Sequence, residues 1–165
     1  MTEPVAFVVR PPTRADADAM AVVHNTGWRE AYGQQLPERF YDDAALGRRR
    51  ETWRRVLGRG DLGYRIAVGE SGGAVVGIAM VGGSLGDHPV RDLEVYALYV
   101  YASHYGTGIG QALLETVLGE EPAQLWVAAD NPRARAFYAR NGFRPDGARK
   151  VDSGLNDLAE VRLVR

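Results

Sequence analysis

Glycines at alternate positions mark the centre of the chain, in the run Tyr-Gly-Thr-Gly-Ile-Gly at residues 105–110. Residues 93–100 before it are rich in β-branched, aromatic and aliphatic side chains, and the residues after it carry an apolar stripe at helical spacing. A strand, a tight glycine turn and a helix in this order bring bare amides to a helix N-terminus, where an anion binds, most often a phosphate. The alternative is a tight turn that binds nothing.

The spacing of these glycines argues against two common phosphate motifs. A Walker A loop ends in Gly-Lys-Ser/Thr, whereas Gly110 is followed by Gln111 and Ala112. A dinucleotide fingerprint needs a further glycine three residues after the second, and the two positions concerned hold Gln111 and Leu113. A nucleotide-binding protein is therefore disfavoured.

A second motif, at residues 131–143, reads Asn-Pro-Arg-Ala-Arg-Ala-Phe-Tyr-Ala-Arg-Asn-Gly-Phe. Asn131 is a good N-cap, Pro132 suits the first helical position, and Gly142 predicts the end of the helix. Tyr138 lies seven residues, about two turns, after Asn131, so both face the same side. A phenol in that place can donate a proton, and simple packing against Phe137 is the other interpretation.

A lone carboxylate, Glu94, interrupts the apolar strand predicted over residues 93–100. Because buried carboxylates are costly without a partner or a role, Glu94 is a candidate functional residue, and an ion pair with an arginine is the alternative. Strict alternation along the strand places Glu94, Tyr96 and Leu98 on one face of the sheet. The opposite face then carries Leu93, Val95, Ala97 and Tyr99.

Histidines are the remaining candidates for proton transfer, since imidazole titrates near neutrality. His104 adjoins the glycines and is expected on the phosphate side, while His24 and His88 are weaker candidates. No grouping of His, Asp and Glu has metal-ligand spacing, and the chain has no cysteine. We therefore expect no metal and no disulfide.

Composition bounds the class of protein. The 165 residues suit one domain, over residues 1–165, with a sizeable core. Lys+Arg of 20 against Asp+Glu of 21 gives a net charge of −1, so no overall field indicates nucleic acid or a membrane surface. No apolar run approaches the ~20 residues of a membrane span, and residues 1–4 do not resemble a signal peptide. The expected location is cytoplasmic.

Periodicity and turn residues predict the other elements. Strands are expected over residues 6–10, 64–70, 74–81, 93–100, 124–128 and 160–164. Helices are expected after a Thr13 cap with Asp16 in its first turn, over residues 46–57, from Ile109 onward, and from Pro132. The strand, helix and strand across residues 93–128 imply a parallel pair with a right-handed crossover. The last strand is expected to pair with the region of Phe143.

Six arginines crowd the second helix, Arg48, Arg49, Arg50, Arg54, Arg55 and Arg59. On a helix they spread over several faces instead of forming one stripe, so we interpret them as a solvated surface. Attraction of acidic substrates is the alternative.

Both motifs together identify a family resemblance. Residues 105–110 resemble motif A of the GCN5-related N-acetyltransferases (GNAT), of the form Gln/Arg-x-x-Gly-x-Gly/Ala, with Tyr105 departing at the first position. Residues 131–143 resemble motif B, of the form Asn-x-x-Ala-x-x-Phe-Tyr-x-x-x-Gly-Phe, at every stated position. The resemblance implies a mixed, mostly antiparallel twisted sheet flanked by helices, an α/β fold with acetyl-CoA in a V-shaped gap.

The resemblance also implies a direct acetyl transfer from acetyl-CoA to a primary amine in a ternary complex. Tyr138 would serve the leaving thiolate and Glu94 the amine proton, while a bulge near Leu98 to Val100 would splay the central strand and present a backbone N–H to the acetyl carbonyl. The implied cofactor contacts are Leu98, Tyr99, Val100, Tyr105, Gly106, Thr107, Gly108, Ile109, Gly110, Gln111, Asn131 and Tyr138. The implied substrate contacts are Trp28, Tyr32 and Glu94, and the alternative for the two aromatics is that both are simply core residues.

The acceptor stays open at this point. A small-molecule amine, an antibiotic, a polyamine or a protein N-terminus all suit an amine site, and a homodimer is compatible with the family. A non-catalytic acyl-CoA-binding sensor on the same fold is the alternative function, which retention of both Tyr138 and Glu94 disfavours.

Overall fold

A computed structural model describes residues 4–60 and 63–165. The expectation about the start of the chain falls mostly on residues 1–3, outside this part. Within the described part lie four α-helices and seven strands, in the order β1 (Val8–Arg10), α1 (Ala17–Tyr32), α2 (Asp43–Gly58), β2 (Arg65–Ser71), β3 (Ala74–Gly83), β4 (Leu93–Val100), α3 (Ile109–Leu118), β5 (Gln124–Ala128), α4 (Pro132–Arg140), β6 (Arg144–Asp152) and β7 (Leu158–Val164).

All seven strands form one sheet, in the order β1-β2-β3-β4-β5-β7-β6. Each neighbouring pair is antiparallel except β4 and β5, which are parallel and joined through α3. This is the mixed, mostly antiparallel sheet flanked by helices that the motifs implied, so the predicted fold is confirmed. The strand β7 pairs with β6, directly after Phe143, as predicted.

A β-bulge in β4 lies earlier than predicted. Met80 pairs with Ala97 and Val81 with Val95, so Tyr96 is the unpaired extra residue. The prediction of a bulge near Leu98 to Val100 is therefore wrong by at least two residues. Periodicity could not reveal it, because a bulge depends on the register with β3.

The bulge also inverts the alternation of side chains along β4. Val95 and Leu98 pack in the same apolar cluster, whereas strict alternation would separate them. Tyr99 joins the cluster on the opposite face of the sheet. One inserted residue moves every later side chain to the other face, so the predicted faces are wrong beyond Tyr96.

Among the described residues, two large apolar clusters hold the helices to the sheet, and a smaller third packs Trp28 and Tyr32 of α1 against Ala128 and Leu158. The first buries α3 against β2, β3 and β5, with Ile109, Leu113 and Leu125 almost fully covered. The second buries α1 and α2 against the other face, around Met20 and Trp53. Here α1 approaches β4 so closely that a Cβ on Gly27 would lie 2.9 Å from Tyr99 Cβ, which only glycine allows.

The start of the first helical segment follows the prediction. The Asp16 carboxylate accepts hydrogen bonds from the Thr13 N–H at 2.6 Å and from the Arg10 guanidinium at 2.9 and 3.0 Å. These bonds, chiefly the one to Arg10, lower the pKa of Asp16 to about 2. A short 3₁₀ turn separates Thr13 from α1 proper.

The arginine-rich helix α2 is not solvated throughout. Arg49 is half-buried, donates to Asn25 Oδ1 and to Phe40 O, and lies with its guanidinium carbon 4.7 Å from the centre of the Trp28 ring. The predicted solvated surface is therefore wrong for Arg49, because the packing of α2 on α1 turns that side chain inward. Across residues 4–60 and 63–165, no helix has the length and apolar character to cross a membrane.

Candidate functional site

The parallel strands β4 and β5 pair at one position, Glu94 with Gln124, and separate beyond it. A cavity of about 550 Å³ opens between them. Its walls are the later residues of β4 and β5, the glycine loop before α3, one side of α4 and the end of α1. The sheet is thus split into a wedge, closed at Glu94 and open toward the carboxyl ends of the strands.

Backbone amides of β4 line this wedge. The N–H of Tyr101 donates to Val76 O on β3 at 3.0 Å, which fixes the phase of the antiparallel ladder. Because bonding alternates along such a ladder, Tyr99 also points its N–H toward β3, while Leu98 and Val100 point theirs toward β5. All three residues line the cavity, and their contact with a cofactor stays a prediction.

The glycine loop ends in a helix with uncommitted amides. Gly108 has φ of +92°, a left-handed conformation that favours glycine, and α3 begins at the next residue. Within the part of the chain that the structure describes, the N–H groups of Gly108, Gly110 and Gln111 have no hydrogen-bond partner. These three residues line the cavity together with Tyr105 and Gly106.

Two residues of the loop do not line the cavity. Thr107 instead closes the turn, because its hydroxyl donates to His104 O at 2.8 Å. Ile109 is buried in the core against Gly69 of β2. Both were predicted as cofactor contacts, and neither is among the residues that line the cavity.

The cavity has the shape and donors that a phosphate-bearing chain needs. A Cβ built on Gly110 would lie 3.7 Å from Phe137 and 3.8 Å from Val100, both of which line the cavity. A larger side chain there would fill the space beside the amides. The uncommitted N–H groups at the positive end of α3 attract an anion, so the residues present fit the diphosphate of coenzyme A.

Helix α4 forms the opposite wall. Asn131 caps it, with Oδ1 accepting from the Ala134 N–H at 3.1 Å. Tyr138, two turns later, is only 8% exposed and packs edge-on against Phe137 and Phe143. Asn131 and Tyr138 both line the cavity, as predicted.

The hydroxyl of Tyr138 has no hydrogen-bond partner among residues 4–60 and 63–165. Burial raises the pKa of this phenol, and the nearby Tyr99 adds to the shift. The phenol therefore stays protonated through the physiological range and is available as a donor.

The α1 side of the wedge carries the predicted acceptor residues. Tyr32 lines the cavity, and burial strongly raises its pKa. Trp28 lies behind it and donates from Nε1 to Tyr99 Oη at 2.8 Å. Trp28 is not among the residues that line the cavity, because the closeness of α1 and β4 at Gly27 directs its ring to Tyr99, so its position fits the alternative of a core residue.

An aromatic cluster backs this wall. The His24 ring stacks on Tyr99 at 5.1 Å between centroids, and Nδ1 of His24 accepts from Trp53 Nε1 at 3.3 Å. Burial lowers the pKa of His24 to about 3, with the Arg49 charge adding to the effect. His24 is therefore a neutral packing group at neutral pH. The other two histidines differ, since His104 lines the cavity and His88 lies in the loop before β4.

Glu94 lies at the closed end of the wedge and is not among the residues that line the cavity. It is buried, and its Oε1 accepts from Gln124 Nε2 at 2.8 Å. Gln124 is fixed in turn, because its own Oε1 accepts from the Val90 N–H at 2.8 Å. The alternative of an arginine partner is not found in the described residues, where the partner is this neutral amide.

Sequence reasoning missed a second buried carboxylate near Glu94. Glu160 on β7 is 8% exposed, and Lys150 Nζ lies 3.4 Å from its Oε2. Burial raises the pKa of Glu160, and the charge of Glu94 adds to the shift. The alternation of the last strand could have flagged this residue, but its neighbourhood is set by the order of β5, β7 and β6.

Other cavity residues were also missed, namely Glu30, Trp126, Arg133, Phe137 and Arg140. Three of them lie in the second motif, whose helical spacing puts Arg133, Phe137 and Arg140 along one side of α4. That spacing was the available signal. In the described part of the chain no three His, Cys, Asp or Glu side chains come together as metal ligands.

A mostly antiparallel sheet in which two parallel strands separate, with uncommitted amides at the mouth of the gap, is an α/β arrangement that suits an acyl-CoA ligand. The sequence model of the acetyltransferase (GNAT) domain matches residues 62–145, just over half of the chain. The chain belongs to the GNAT acetyltransferase family, and the predicted family is confirmed.

Relatives of known sequence agree. The chain is 33% identical over 99 residues to an uncharacterized N-acetyltransferase of Mycobacterium bovis, covering 56% of this chain and 61% of that relative. The chain therefore spans about three fifths of the length of this relative.

Solved structures show the same fold. Ribosomal-protein-alanine N-acetyltransferase from Brucella melitensis superposes with a TM-score of 0.71 at 23% identity, covering 96% of this chain and 98% of that one. The acetyltransferase yncA from Salmonella typhimurium, solved with its cofactor acetyl-CoA, has a TM-score of 0.66 at 20% identity, covering 97% of this chain and 93% of that one. At these identities the likeness concerns the fold.

Proposed function

We propose that this protein is an acetyl-CoA-dependent N-acetyltransferase that acts on a primary amine of a small molecule or a peptide. One observation carries the proposal. The wedge between β4 and β5 combines uncommitted amides at the start of α3 with the inward N–H groups of Leu98 and Val100 and the unpartnered hydroxyl of Tyr138. Each of these groups suits a different part of an acyl-CoA thioester.

The amides of Gly108, Gly110 and Gln111 would hold the diphosphate. Their N–H groups face the cavity mouth, and the dipole of α3 favours negative charge there. Acetyl-CoA, when bound, supplies an acetyl group activated as a thioester. Its binding at α3 would direct the pantetheine arm into the gap that separates β4 from β5.

The reaction breaks the C–S bond of the thioester and forms an N–C bond to the amine. Negative charge develops on the acetyl oxygen in the transition state, and the N–H of Leu98 or Val100 would donate to it. These amides are fixed in the sheet before the substrate arrives, so little reorganisation is needed. The acceptor would enter from the side of Tyr32, and transfer would be direct within a ternary complex.

For the charges to balance, the acceptor nitrogen must lose two protons and the departing sulfur must gain one. Glu94 would accept a proton from the ammonium of the acceptor, through water because its carboxylate lies outside the cavity lining. Tyr138 would donate a hydrogen bond or a proton to the departing sulfur, since burial keeps its phenol protonated. The second nitrogen proton, lost after the C–N bond forms, would replace the proton that Tyr138 gives to sulfur. The buried carboxylate of Glu160 stands near Glu94 and would favour a cationic acceptor on this side.

We also propose a cytoplasmic location for the protein and assembly as a homodimer. Light scattering on a size-exclusion column measures the assembly directly.

Thiol release tests the function. Purified protein is incubated with acetyl-CoA and a panel of primary amines, and free thiol is measured with a chromogenic disulfide. We expect amine-dependent thiol release that Tyr138→Phe reduces. Tight coenzyme A binding without turnover on any amine would favour the acyl-CoA sensor instead, and absence of coenzyme A binding would contradict both functions.

A further inference from the structure

The mouth of the cavity pairs an aromatic ring with a guanidinium. Tyr105, the first residue of the glycine loop, carries no charge, but the guanidinium carbon of Arg133 lies 3.6 Å from the centre of its ring. Arg133 comes from the first turn of α4, on the opposite wall. Both side chains line the cavity beside Gly108 and Gly110.

The hydrogen-bond donors of Arg133 are uncommitted. Across residues 4–60 and 63–165 this side chain makes no hydrogen bond and no ion pair, and its one recorded contact is the stack on Tyr105. A guanidinium that stacks on a ring through its face keeps its N–H groups in the plane, along its edges. The stack therefore fixes the plane of Arg133 while leaving its donors available.

We propose that Arg133, held flat by Tyr105, is the cation that binds the diphosphate of coenzyme A opposite the amides of α3. This inference rests on the proposed function. The amides alone carry partial charges, whereas a diphosphate carries full ones, and a guanidinium matches two phosphate oxygens at once. The loop has no basic side chain of its own between Tyr105 and Gly110, so the charge comes from α4.

The neighbouring charges distinguish Arg133 from the other arginines of the helix. Arg135 is engaged elsewhere, since its Nη1 donates to Ala129 O at 3.0 Å. Arg140 also lines the cavity, two turns further along α4 and away from Tyr105. Only Arg133 of these three contacts the glycine loop through a ring.

The negative charge of Glu30, in the same cavity, increases the need for a cation such as Arg133. Glu30 lines the same cavity, and its Oε2 accepts from the Ala102 N–H at 2.8 Å. Burial raises the pKa of Tyr105, the charge of Glu30 adds to the shift and the charge of Arg133 opposes it, so both charges act on this ring. Without Arg133, Glu30 would leave the mouth of the cavity repulsive to a diphosphate.

Calorimetry with two ligands tests the inference. Coenzyme A carries a diphosphate and a 3′-phosphate, and dephospho-coenzyme A carries the diphosphate without the 3′-phosphate. We expect Arg133→Gln to weaken both ligands by about the same factor, roughly tenfold, with a smaller salt dependence of the Kd. Arg133→Lys, which keeps the charge but loses the planar fork, should recover part of the affinity.

Arg135→Gln is the matched control, because it removes the same charge two residues along the same helix, and we expect an unchanged Kd. Arg133 is exposed, so its variants should fold, and the Tm without ligand checks this. Tyr105→Leu should weaken coenzyme A by severalfold in wild type but very little in Arg133→Gln, since the ring acts through the guanidinium.

Three results overturn the inference. Loss of coenzyme A affinity with unchanged dephospho-coenzyme A affinity would move Arg133 to the 3′-phosphate. Unchanged affinity for both ligands would leave Arg133 a surface residue, while wild-type coenzyme A binding would still support the proposed function. If wild type binds neither ligand, the proposed function and the inference fail together.

Discussion

The two walls of the wedge differ in how their polar groups are used. On the α1 side, three polar side chains are already paired within the protein. Trp28 donates to Tyr99, Trp53 donates to His24, and Arg49 binds Asn25. On the side of α3 and α4, the amides of Gly108, Gly110 and Gln111 and the donors of Arg133 have no partner in the described part of the chain.

This difference distinguishes residues that maintain the structure of the wall from residues that are available to bind a ligand. Groups that satisfy each other internally hold the wall in one position, since breaking such a network leaves buried atoms unpaired. Groups that remain unpaired at a cavity are the ones that can bind a ligand. We therefore expect substitutions on the α1 wall to change stability and substitutions on the α3 and α4 wall to change ligand binding and turnover.

The largest effect is expected from Gly110→Leu. Its Cβ is tolerated, but the rest of the side chain would enter the space between Phe137 and Val100, where the cavity lies. We expect more than about a hundredfold loss of coenzyme A affinity, seen as loss of the ligand-induced rise in Tm. Gly110 suits this test better than Gly108, whose positive φ would add backbone strain in the free protein.

Gly47→Leu is the control for that experiment. Gly47 lies in α2 with no atom within 4 Å of a built Cβ, so the added side chain meets solvent. Coenzyme A should raise the Tm of this variant as much as it raises that of wild type. An equal rise in Gly110→Leu would contradict the placement of the ligand at α3.

Tyr138→Phe is expected to lower kcat by about a hundredfold, the low end for general-acid assistance, because thiolate is a fair leaving group. The Kd of acetyl-CoA should change little, since the interaction grows as charge develops on sulfur. Steady-state kinetics with a rate-limiting chemical step, together with calorimetry, measure both quantities. A kcat within twofold of wild type and a lower Tm would make Tyr138 a packing residue.

On the α1 wall, His24 predicts a pH dependence of stability. Its pKa of about 3 in the folded protein lies below the unfolded value near 6.5, so only the unfolded chain takes up a proton between these values. Stability is therefore full above pH 6.5 and falls as the pH drops. Between pH 7 and 5 the expected loss is about 2 kcal/mol.

Urea unfolding at pH 7, 6 and 5 measures this dependence. His24→Leu should remove it, even though the variant is less stable overall. Trp53→Phe is the matched control, since it removes the hydrogen bond to His24 but keeps the imidazole and its pH dependence. A wild-type free energy of unfolding that stays level from pH 7 to 5 would contradict a neutral, buried His24.

The smallest effect is expected from Trp28→Phe. The variant loses the hydrogen bond to Tyr99 and part of the contact with Arg49, which should lower the free energy of unfolding by about 1 kcal/mol. Because Trp28 lies outside the cavity lining, the Kd of coenzyme A should stay within twofold. A tenfold weaker Kd with unchanged stability would reverse the roles assigned to the two walls.

Much of the site could be predicted from short sequence motifs. Tyr105, Gly106, Gly108, Gly110, Gln111, Asn131 and Tyr138 all line the cavity, as expected from residues 105–111 and 131–143. Within such segments the geometry is local, because a turn that needs glycine or a capped helix fixes which residues face one side. Local rules were sufficient for these seven residues, whereas Thr107 and Ile109 in the same run do not line the cavity.

Predictions failed where distant segments meet. Trp28 was expected in the pocket, but the approach of α1 to β4 at Gly27 turns it to Tyr99. Arg49 was expected in solvent, and the bulge at Tyr96 was placed too late. Each error concerns a residue whose orientation depends on a partner far away in sequence.

The sequence by itself determined the family, the fold class and the donors of the glycine loop, since these follow from residue types at short spacing. Only the tertiary structure decided which hydrogen-bond donors at the cavity remain without a partner in the described part of the chain. The register of β3 and β4 sets which amides face the gap, and the packing of α4 beside the loop brings Arg133 onto Tyr105. Hydrogen-bond satisfaction is a property of the folded contacts, and no single segment carries that information.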